Sequence, residues 1–231
     1  MSFVKPLLAG ILLIIALVSC QKEESQTIEP SWPINDFFPI ELGQQLIYKV
    51  TDITIDGPID LNDTIEYELM EYVESKIDSN ETYQTYRLER YTRSNTSMNW
   101  RIKNVWQIRQ YKQSIHKIED NIDYIRLLTP AQQYDQWNSN AFNDEGETEA
   151  ELTNIETIGI LNANRKVATV NYIDQFSLID KHYSSEQYAL GIGLISKTII
   201  NVDLYFDPET DWQTRIEKGH IYQQEIIELN E

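Results

Sequence analysis

Alternation of apolar and polar side chains is the feature that most constrains the fold of this chain. From Trp100 to Arg109 one parity is mainly apolar (Trp100, Ile102, Trp106, Ile108) and the other mainly basic or polar (Arg101, Lys103, Gln107, Arg109). Ile65, Tyr67, Leu69 and Val73 alternate in the same way with Glu66, Glu68 and Tyr72. A period of two indicates strands with one buried and one solvated face. No long amphipathic helix pattern interrupts it.

Further strands are predicted along the rest of the chain, at 82–93, 113–118, 122–128, 150–160, 166–174, 178–189, 194–206 and 215–228. The apolar positions change parity between Val50 and Ile53, which predicts a bulge near Thr51 and Asp52. Residues 131–137 could form a short turn of helix after Thr129 and Pro130.

Many short strands in one chain without a linker favour a single all-β domain, here residues 37–231. The predicted fold is one curved antiparallel sheet that forms an open or half barrel, with a two-sheet β-sandwich as the alternative.

The charges of two neighbouring segments are opposite. Residues 60–81 contain eight acids and one base, Lys76, whereas residues 87–117 contain eight lysines and arginines and one acid, Glu89. If the segments form adjacent antiparallel strands, their charges face each other across the ladder, at roughly 0.2–1 kcal/mol per pair. The alternative is a basic band that binds an anion or a partner.

The N-terminus has the organisation of a signal peptide. One positive charge lies in residues 1–5, and an apolar run follows from Pro6 to Val18, too short for a spanning helix. Leu17-Val18-Ser19-Cys20 matches the bacterial lipobox, which predicts a lipoprotein signal peptide at residues 1–19 and lipidation of Cys20, for example with palmitate. The chain's single cysteine would then anchor the protein in a membrane without a spanning segment.

The residues after Cys20 predict a location. Residues 20–36 are polar and contain proline, as expected of a tether. Gln21 is not the aspartate that retains lipoproteins at the inner membrane. Lys22, Glu23 and Glu24 resemble the export signal of Bacteroidota surface lipoproteins. The prediction is an outer-membrane protein displayed on the cell surface, with the periplasmic leaflet as the alternative.

Composition excludes one class of partner. The formal charge is −18, and removal of residues 1–19 takes away Lys5 and no acid, which brings it to −19. Nucleic-acid binding needs an excess of lysine and arginine, so nucleic acid is excluded as a partner.

Three motifs resemble a family. Residues 37–48, FFPIELGQQLIY, are similar to the opening motif YFPLxxGxxWxY of uncharacterised Bacteroidota outer-membrane lipoproteins. Residues 137–143, WNSNAFN, resemble a mid-chain motif of that group, and residues 188–195, YALGIGLI, resemble its late motif YAKGVGLV. Leu46 replaces the first tryptophan of the pattern. The resemblance implies a curved, mainly antiparallel sheet and a lipid anchor, and it implies no catalytic residue.

The sequence shows no catalytic or metal-binding motif. His116, His182 and His220 lie far apart, with no paired spacing for zinc. No serine occupies a G-x-S-x-G elbow. The sequence therefore predicts a protein that is not an enzyme and that has no cofactor and no metal site.

Three functions remain open at this stage. The first is a noncatalytic envelope lipoprotein that binds or scaffolds an unknown protein or glycan partner. The second is a carrier of an apolar or glycan ligand on the concave sheet face, with four tryptophans as stacking residues: Trp100, Trp106, Trp137 and Trp212. The third is a hydrolase built from scattered acids with His182 or His220, which would require a cleft with clustered titratable groups.

Overall fold

The computed structural model describes residues 36–230, which form twelve β-strands and two short 3₁₀ turns. The strands are β1 (Gln45–Asp56), β2 (Leu61–Ser79), β3 (Tyr83–Arg93), β4 (Arg101–Tyr111), β5 (Ser114–Glu119), β6 (Ile122–Leu128), β7 (Gln136–Asn138), β8 (Glu149–Ile160), β9 (Ala163–Phe176), β10 (Asp180–Ala189), β11 (Gly193–Leu204) and β12 (Ile216–Asn230). The 3₁₀ turns are Gly57–Ile59 and Trp212–Thr214. The signal peptide, Cys20, and Lys22, Glu23 and Glu24 lie outside the described residues.

All twelve strands belong to one antiparallel sheet in the order β6-β5-β4-β3-β2-β1-β12-β11-β10-β9-β8-β7. The first and last strands pair at its centre, where Val50 of β1 lies opposite Gln224 of β12. The sheet is nearly closed and barrel-like, with an unsealed seam. The prediction of one curved antiparallel sheet is therefore confirmed, and the sandwich alternative is not realised.

The seam lies between the two edge strands, β6 and β7. In place of a ladder, the Ile125 amide donates to the Ser139 carbonyl over 2.9 Å, just beyond β7. The Trp137 indole donates to the Ile125 carbonyl over 3.0 Å. Between the described residues of β6 and β7 there is thus no ladder, so contacts through the interior matter for keeping the barrel closed.

One end of the barrel is filled by apolar side chains and is called the closed end here. The chain enters there, and the Gly191 amide donates to the Asp36 carbonyl over 2.7 Å. Phe37 and Phe38 are buried, and the ring of Phe38 lies 5.8 Å from that of Tyr188. The opposite end, called the open end, contains the β1–β2 turn and the β11–β12 connection. Space for a ligand is therefore to be sought toward the open end.

Two local predictions are wrong. The β1–β2 register is regular through Thr51 and Asp52, and the bulge in β1 lies at Ile47 and Tyr48 in its pairing with β12. Asp52 keeps the parity of Val50, because polar groups line the interior near the open end. Residues 131–137 form turns and the start of β7 instead of a helix, since the segment makes part of the sheet edge.

The alternation in β4 is also interrupted. Ile102 was expected on the buried face with Trp106, but its side chain is 57% exposed. The β3–β4 register has a bulge, because Arg90 pairs with Asn104 and Tyr91 pairs with Ile102, which leaves Lys103 unpaired. Side chains of β4 before the bulge therefore point to the opposite face from the one that simple alternation predicts. Lys103 consequently lines the interior space described below.

The prediction of facing charges is confirmed in the β2–β3 ladder. Glu68 lies opposite Arg93 and Glu71 opposite Arg90, with nitrogen–oxygen distances of 2.6 and 3.1 Å. The second pair is buried, which the sequence did not predict. Within residues 36–230, no helix is long and apolar enough to cross a membrane.

Candidate functional site

Charged side chains lie inside the barrel, where strand alternation would place apolar ones. Glu71 of β2 is 6% exposed although it shares parity with Leu69 and Val73. It accepts from Lys117 of β5 through both carboxylate oxygens, at 3.2 Å each, and from Arg90 Nε at 3.1 Å. One carboxylate therefore joins β2, β3 and β5.

A second group of charges extends this network across the barrel. Glu119 Oε1 accepts from Arg126 over 2.7 Å, and Lys197 Nζ lies 3.0 Å from Glu186 Oε1 and 3.8 Å from Glu119 Oε2. Arg126 lies 4.0 Å from Glu186. These contacts connect β5 and β6 with β10 and β11, which belong to opposite halves of the sheet.

Two tyrosines complete the surroundings of Glu186. The Tyr188 hydroxyl donates to Glu186 Oε2, and the Tyr172 hydroxyl lies 3.0 Å from the same oxygen. Tyr172 OH also lies 2.9 Å from the carbonyl of Arg126. Burial and the negative charge of Glu186 hold the pKa of both phenols well above its usual range, so they remain donors.

The carboxylates of this second group remain ionised. Burial alone would raise the pKa of Glu119, but the combined effect of Arg126, Lys197 and Lys117 outweighs it and lowers the pKa to about 2. For Glu186 burial is again opposed, chiefly by Lys197 and Arg126, and its pKa lies well below the usual range. The interior therefore contains fixed charges at neutral pH.

A cavity of about 210 Å³ adjoins this network. It is lined by four cations (Arg90, Lys103, Lys117, Lys197) and by two carboxylates (Glu71, Glu119). Two wider hollows of about 480 and 470 Å³ lie beside it. The cavity shares Lys103 with the first and Ile199 with the second. The first hollow includes Asp52 and residues 92–94 and lies toward the open end. The lining can thus receive a polar ligand.

Polar groups of β12 also face the cavity. Gln224 is 1% exposed, and its side-chain oxygen accepts from Tyr222 over 2.7 Å. Its side-chain nitrogen, Nε2, has no hydrogen-bond partner in residues 36–230. His220 lines the same cavity, with Nε2 placed 2.6 Å from Asp52 Oδ1. The Gln224 amide nitrogen is one of eight buried side-chain nitrogen or oxygen atoms without a partner in the described residues, and an acceptor such as water or a ligand oxygen would satisfy it.

The four tryptophans predicted to stack on a ligand occupy different places. Trp106 lines the cavity, but the guanidinium carbon of Arg90 lies 3.6 Å from its ring centre. Trp137 is buried in the core. Trp100 lies under Arg93, at 4.2 Å, and Trp212 lines a separate hollow with Ile53. The structure does not bring the four together, and Trp106 alone adjoins the charged cavity.

A hydrogen-bonded serine, histidine and aspartate occur elsewhere, on β5 and β6. Ser114 Oγ lies 2.9 Å from His116 Nε2, and His116 Nδ1 lies 2.7 Å from Asp123 Oδ1. The distances resemble those of a catalytic triad. However, His116 is fully buried beside Phe142, and Arg109 donates to Asp123 over 3.1 Å. None of these four polar residues lines the cavity or the two hollows described above, and their contacts join β4, β5 and β6.

The remaining sequence-predicted residues do not form a site. His182 lines the second hollow, whose lining also includes Glu147, Glu149 and Asp174, but within residues 36–230 no hydrogen bond or ion pair joins its imidazole to these carboxylates. Among residues 36–230, no group of three or more histidine, cysteine, aspartate or glutamate side chains could hold a metal ion. The predicted lipidation and export residues, Cys20 and Lys22–Glu24, lie outside the described part of the chain.

The comparisons with known proteins are sparse. No protein-family model matches the chain, and no curated protein matches it significantly. Among solved structures, one similar chain is described as "a putative lipoprotein from Parabacteroides distasonis". It is 13% identical, with a TM-score of 0.47, over 85% of this chain and 99% of that one. These values are too low to transfer a function, so the function must be argued from the chain's own residues.

Proposed function

We propose that this chain is a noncatalytic, lipid-anchored protein of the cell envelope that binds a small polar ligand inside its barrel. The observation that supports binding is the charge-lined cavity of about 210 Å³ next to open hollows. Buried ion pairs contribute little net stability compared with apolar packing, so a charged interior is costly unless it serves another purpose. A ligand site is such a purpose, and the lining favours a polar ligand over an apolar one.

The anchor and location rest on the sequence. Cys20 follows the lipobox residues, and Lys22, Glu23 and Glu24 follow Cys20 at the position of a surface export signal. Acyl chains on Cys20 would attach the protein to the outer membrane, and residues 21–36 would serve as the tether. The proposal places the barrel on the cell surface, where its cavity would meet extracellular molecules.

Replacement of the acylated cysteine tests the anchor. In Cys20→Ser no thiol accepts the acyl chains, so we expect the protein to leave the membrane fraction and to lose palmitate labelling, without a change in thermal stability. Ser19→Ala, which keeps the cysteine and a small residue before it, is the matched control and should behave as wild type. A Cys20→Ser protein that stayed in carbonate-washed membranes would contradict the proposed anchor.

Protease added to intact cells that express the wild-type protein tests the surface location and should digest the barrel. Digestion only after lysis would place it in the periplasm.

Native mass spectrometry tests the binding function. The full chain, purified in mild detergent from its own cells, should show a bound small molecule that denaturation releases. Ile199 lines the cavity, so Ile199→Trp should remove that molecule. The control is Thr198→Trp, because alternation places residue 198 on the other face of β11. Equal masses before and after denaturation would contradict binding and favour the scaffold function.

A further inference from the structure

We infer that the cavity in the barrel binds a small oxyanion, a carboxylate or a phosphate, through the cations and the amide that face it. This inference rests on the proposed binding function and specifies its ligand class. Its first support is the balance of charge. The interior network contains four cations (Arg90, Lys117, Arg126, Lys197) and three carboxylates (Glu71, Glu119, Glu186). An uncompensated positive charge in a protein interior is unfavourable, and a bound anion would neutralise it.

Lys103 increases this surplus at the boundary of the cavity. Its Nζ donates to the Tyr67 hydroxyl over 3.1 Å, and among residues 36–230 it belongs to no ion pair. An ammonium group has three donors, so two remain for other acceptors. Lys103 lines both the cavity and the hollow toward the open end, which is where an entering ligand would meet it.

Gln224 provides an independent observation. Its side chain is buried, its oxygen is already bonded to Tyr222, and both protons of its Nε2 lack an acceptor. Carboxylate and phosphate oxygens are strong acceptors that bind lysine and amide donors together. A cation would not satisfy this amide and would be repelled by the surrounding lysines and arginine. An oxyanion satisfies both requirements.

The volume limits what the cavity can hold. About 210 Å³ corresponds to roughly seven water molecules at about 30 Å³ each. That space fits a carboxylate or phosphate group with a few further atoms. A larger ligand would extend past Lys103 into the hollow of about 480 Å³. Small anions are therefore suitable probes of the site.

Thermal unfolding of the full chain in detergent tests the inference. Inorganic phosphate and succinate are titrated separately, with sodium chloride at matched ionic strength as the reference. A ligand that binds the folded state raises the melting temperature in proportion to the logarithm of its concentration above Kd. We expect this logarithmic rise, in excess of that in sodium chloride, with at least one of the two anions, and which one responds identifies the head group. Lys103→Gln, at an exposed position, should weaken the apparent affinity about tenfold.

Gln224→Glu is the sharper variant. It keeps the shape of the side chain and the acceptor for Tyr222, but replaces the unpartnered amide with a negative charge inside the cavity. We expect this built-in anion to raise the melting temperature without ligand and to abolish the response to phosphate or succinate. Gln223→Glu, at the neighbouring exposed position, adds the same charge outside the cavity and should respond as wild type.

The outcomes separate this inference from the function on which it rests. A neutral ligand found by native mass spectrometry, with no response to either anion, would overturn the oxyanion inference and leave the binding function standing. No bound molecule and no response would overturn both. A response in chloride equal to that in phosphate and succinate, or Lys103→Gln and Gln224→Glu variants that respond as wild type, would also overturn the inference.

Discussion

Gly219→Ala is expected to destabilise the barrel by about 3–5 kcal/mol, because no side chain fits at this position of the central strand. Gly219 has a φ of 143°, which L-residues rarely adopt, and lies opposite Ile55 of β1 and Val202 of β11. A Cβ there would lie 2.2 Å from the carbonyl oxygen of Asn201 and 2.6 Å from the Cα of Val202. Both are backbone atoms, so β12 would have to move away from β11.

Thermal unfolding of the full chain measures this effect. For a domain of this size 1 kcal/mol corresponds to about 2–4 °C, so the melting temperature should fall by roughly 6–20 °C. Gly159→Ala is the matched control. A Cβ on Gly159 would have Asn164 Oδ1 as its nearest neighbour, at 3.8 Å, and the variant should be neutral or slightly more stable. Equal melting temperatures for the two variants would show that β12 does not approach β11 as closely as described.

The architecture could be predicted because it depends on local signals. Alternation and turn residues located the strands, and the predicted 122–128 coincides with β6. Alternation failed at Lys103, because the bulge in the β3–β4 register depends on how two strands pair and not on the residues of one strand. The bulge of β1 was misplaced for the same reason. It lies in the pairing with β12, where Tyr48 meets Ile226 from the other end of the chain.

The charged cavity was missed because charged residues were assigned to the solvated face. Lysine and glutamate are rarely buried unless they are paired. The sequence did contain a signal, since Glu71 has the parity of Leu69 and Val73 within β2. A charge at an inward position indicates a buried partner, but the partner's identity follows from closure of the sheet. Glu119 and Lys197 meet only because β5 and β11 face each other across the interior.

Glu186→Gln is expected to destabilise the protein by about 3–5 kcal/mol, because it leaves the buried Arg126 and Lys197 with Glu119 as their one shared carboxylate. Glu186 is 1% exposed, and it faces Lys197 at 3.0 Å and Arg126 at 4.0 Å. Glutamine has the same shape and can still accept from the tyrosine hydroxyls, so the variant removes mainly the charge. Since these contacts join the two halves of the sheet across the seam, their loss should also increase hydrogen exchange in β6.

The control is Glu66→Gln, which neutralises one partner of an exposed ion pair. Lys49 and Glu66 lie 2.8 Å apart with side chains 54% and 57% exposed, and solvent screens such pairs to about 0–1 kcal/mol. Thermal unfolding of both variants at neutral pH should therefore separate them by several degrees. If both lost the same small amount, the interior charges would be solvated and the network would not hold the seam.

Glu186→Gln also relates stability to the proposed ligand. With two carboxylates left for four cations, the interior has a larger positive surplus, and a bound oxyanion should compensate it more strongly than in wild type. Saturating concentrations of whichever of phosphate or succinate binds wild type should therefore restore part of the lost melting temperature in Glu186→Gln. The same anion should restore none in Gly219→Ala, whose defect is steric. Equal restoration in both variants would indicate a general salt effect and would separate the network's structural role from ligand binding.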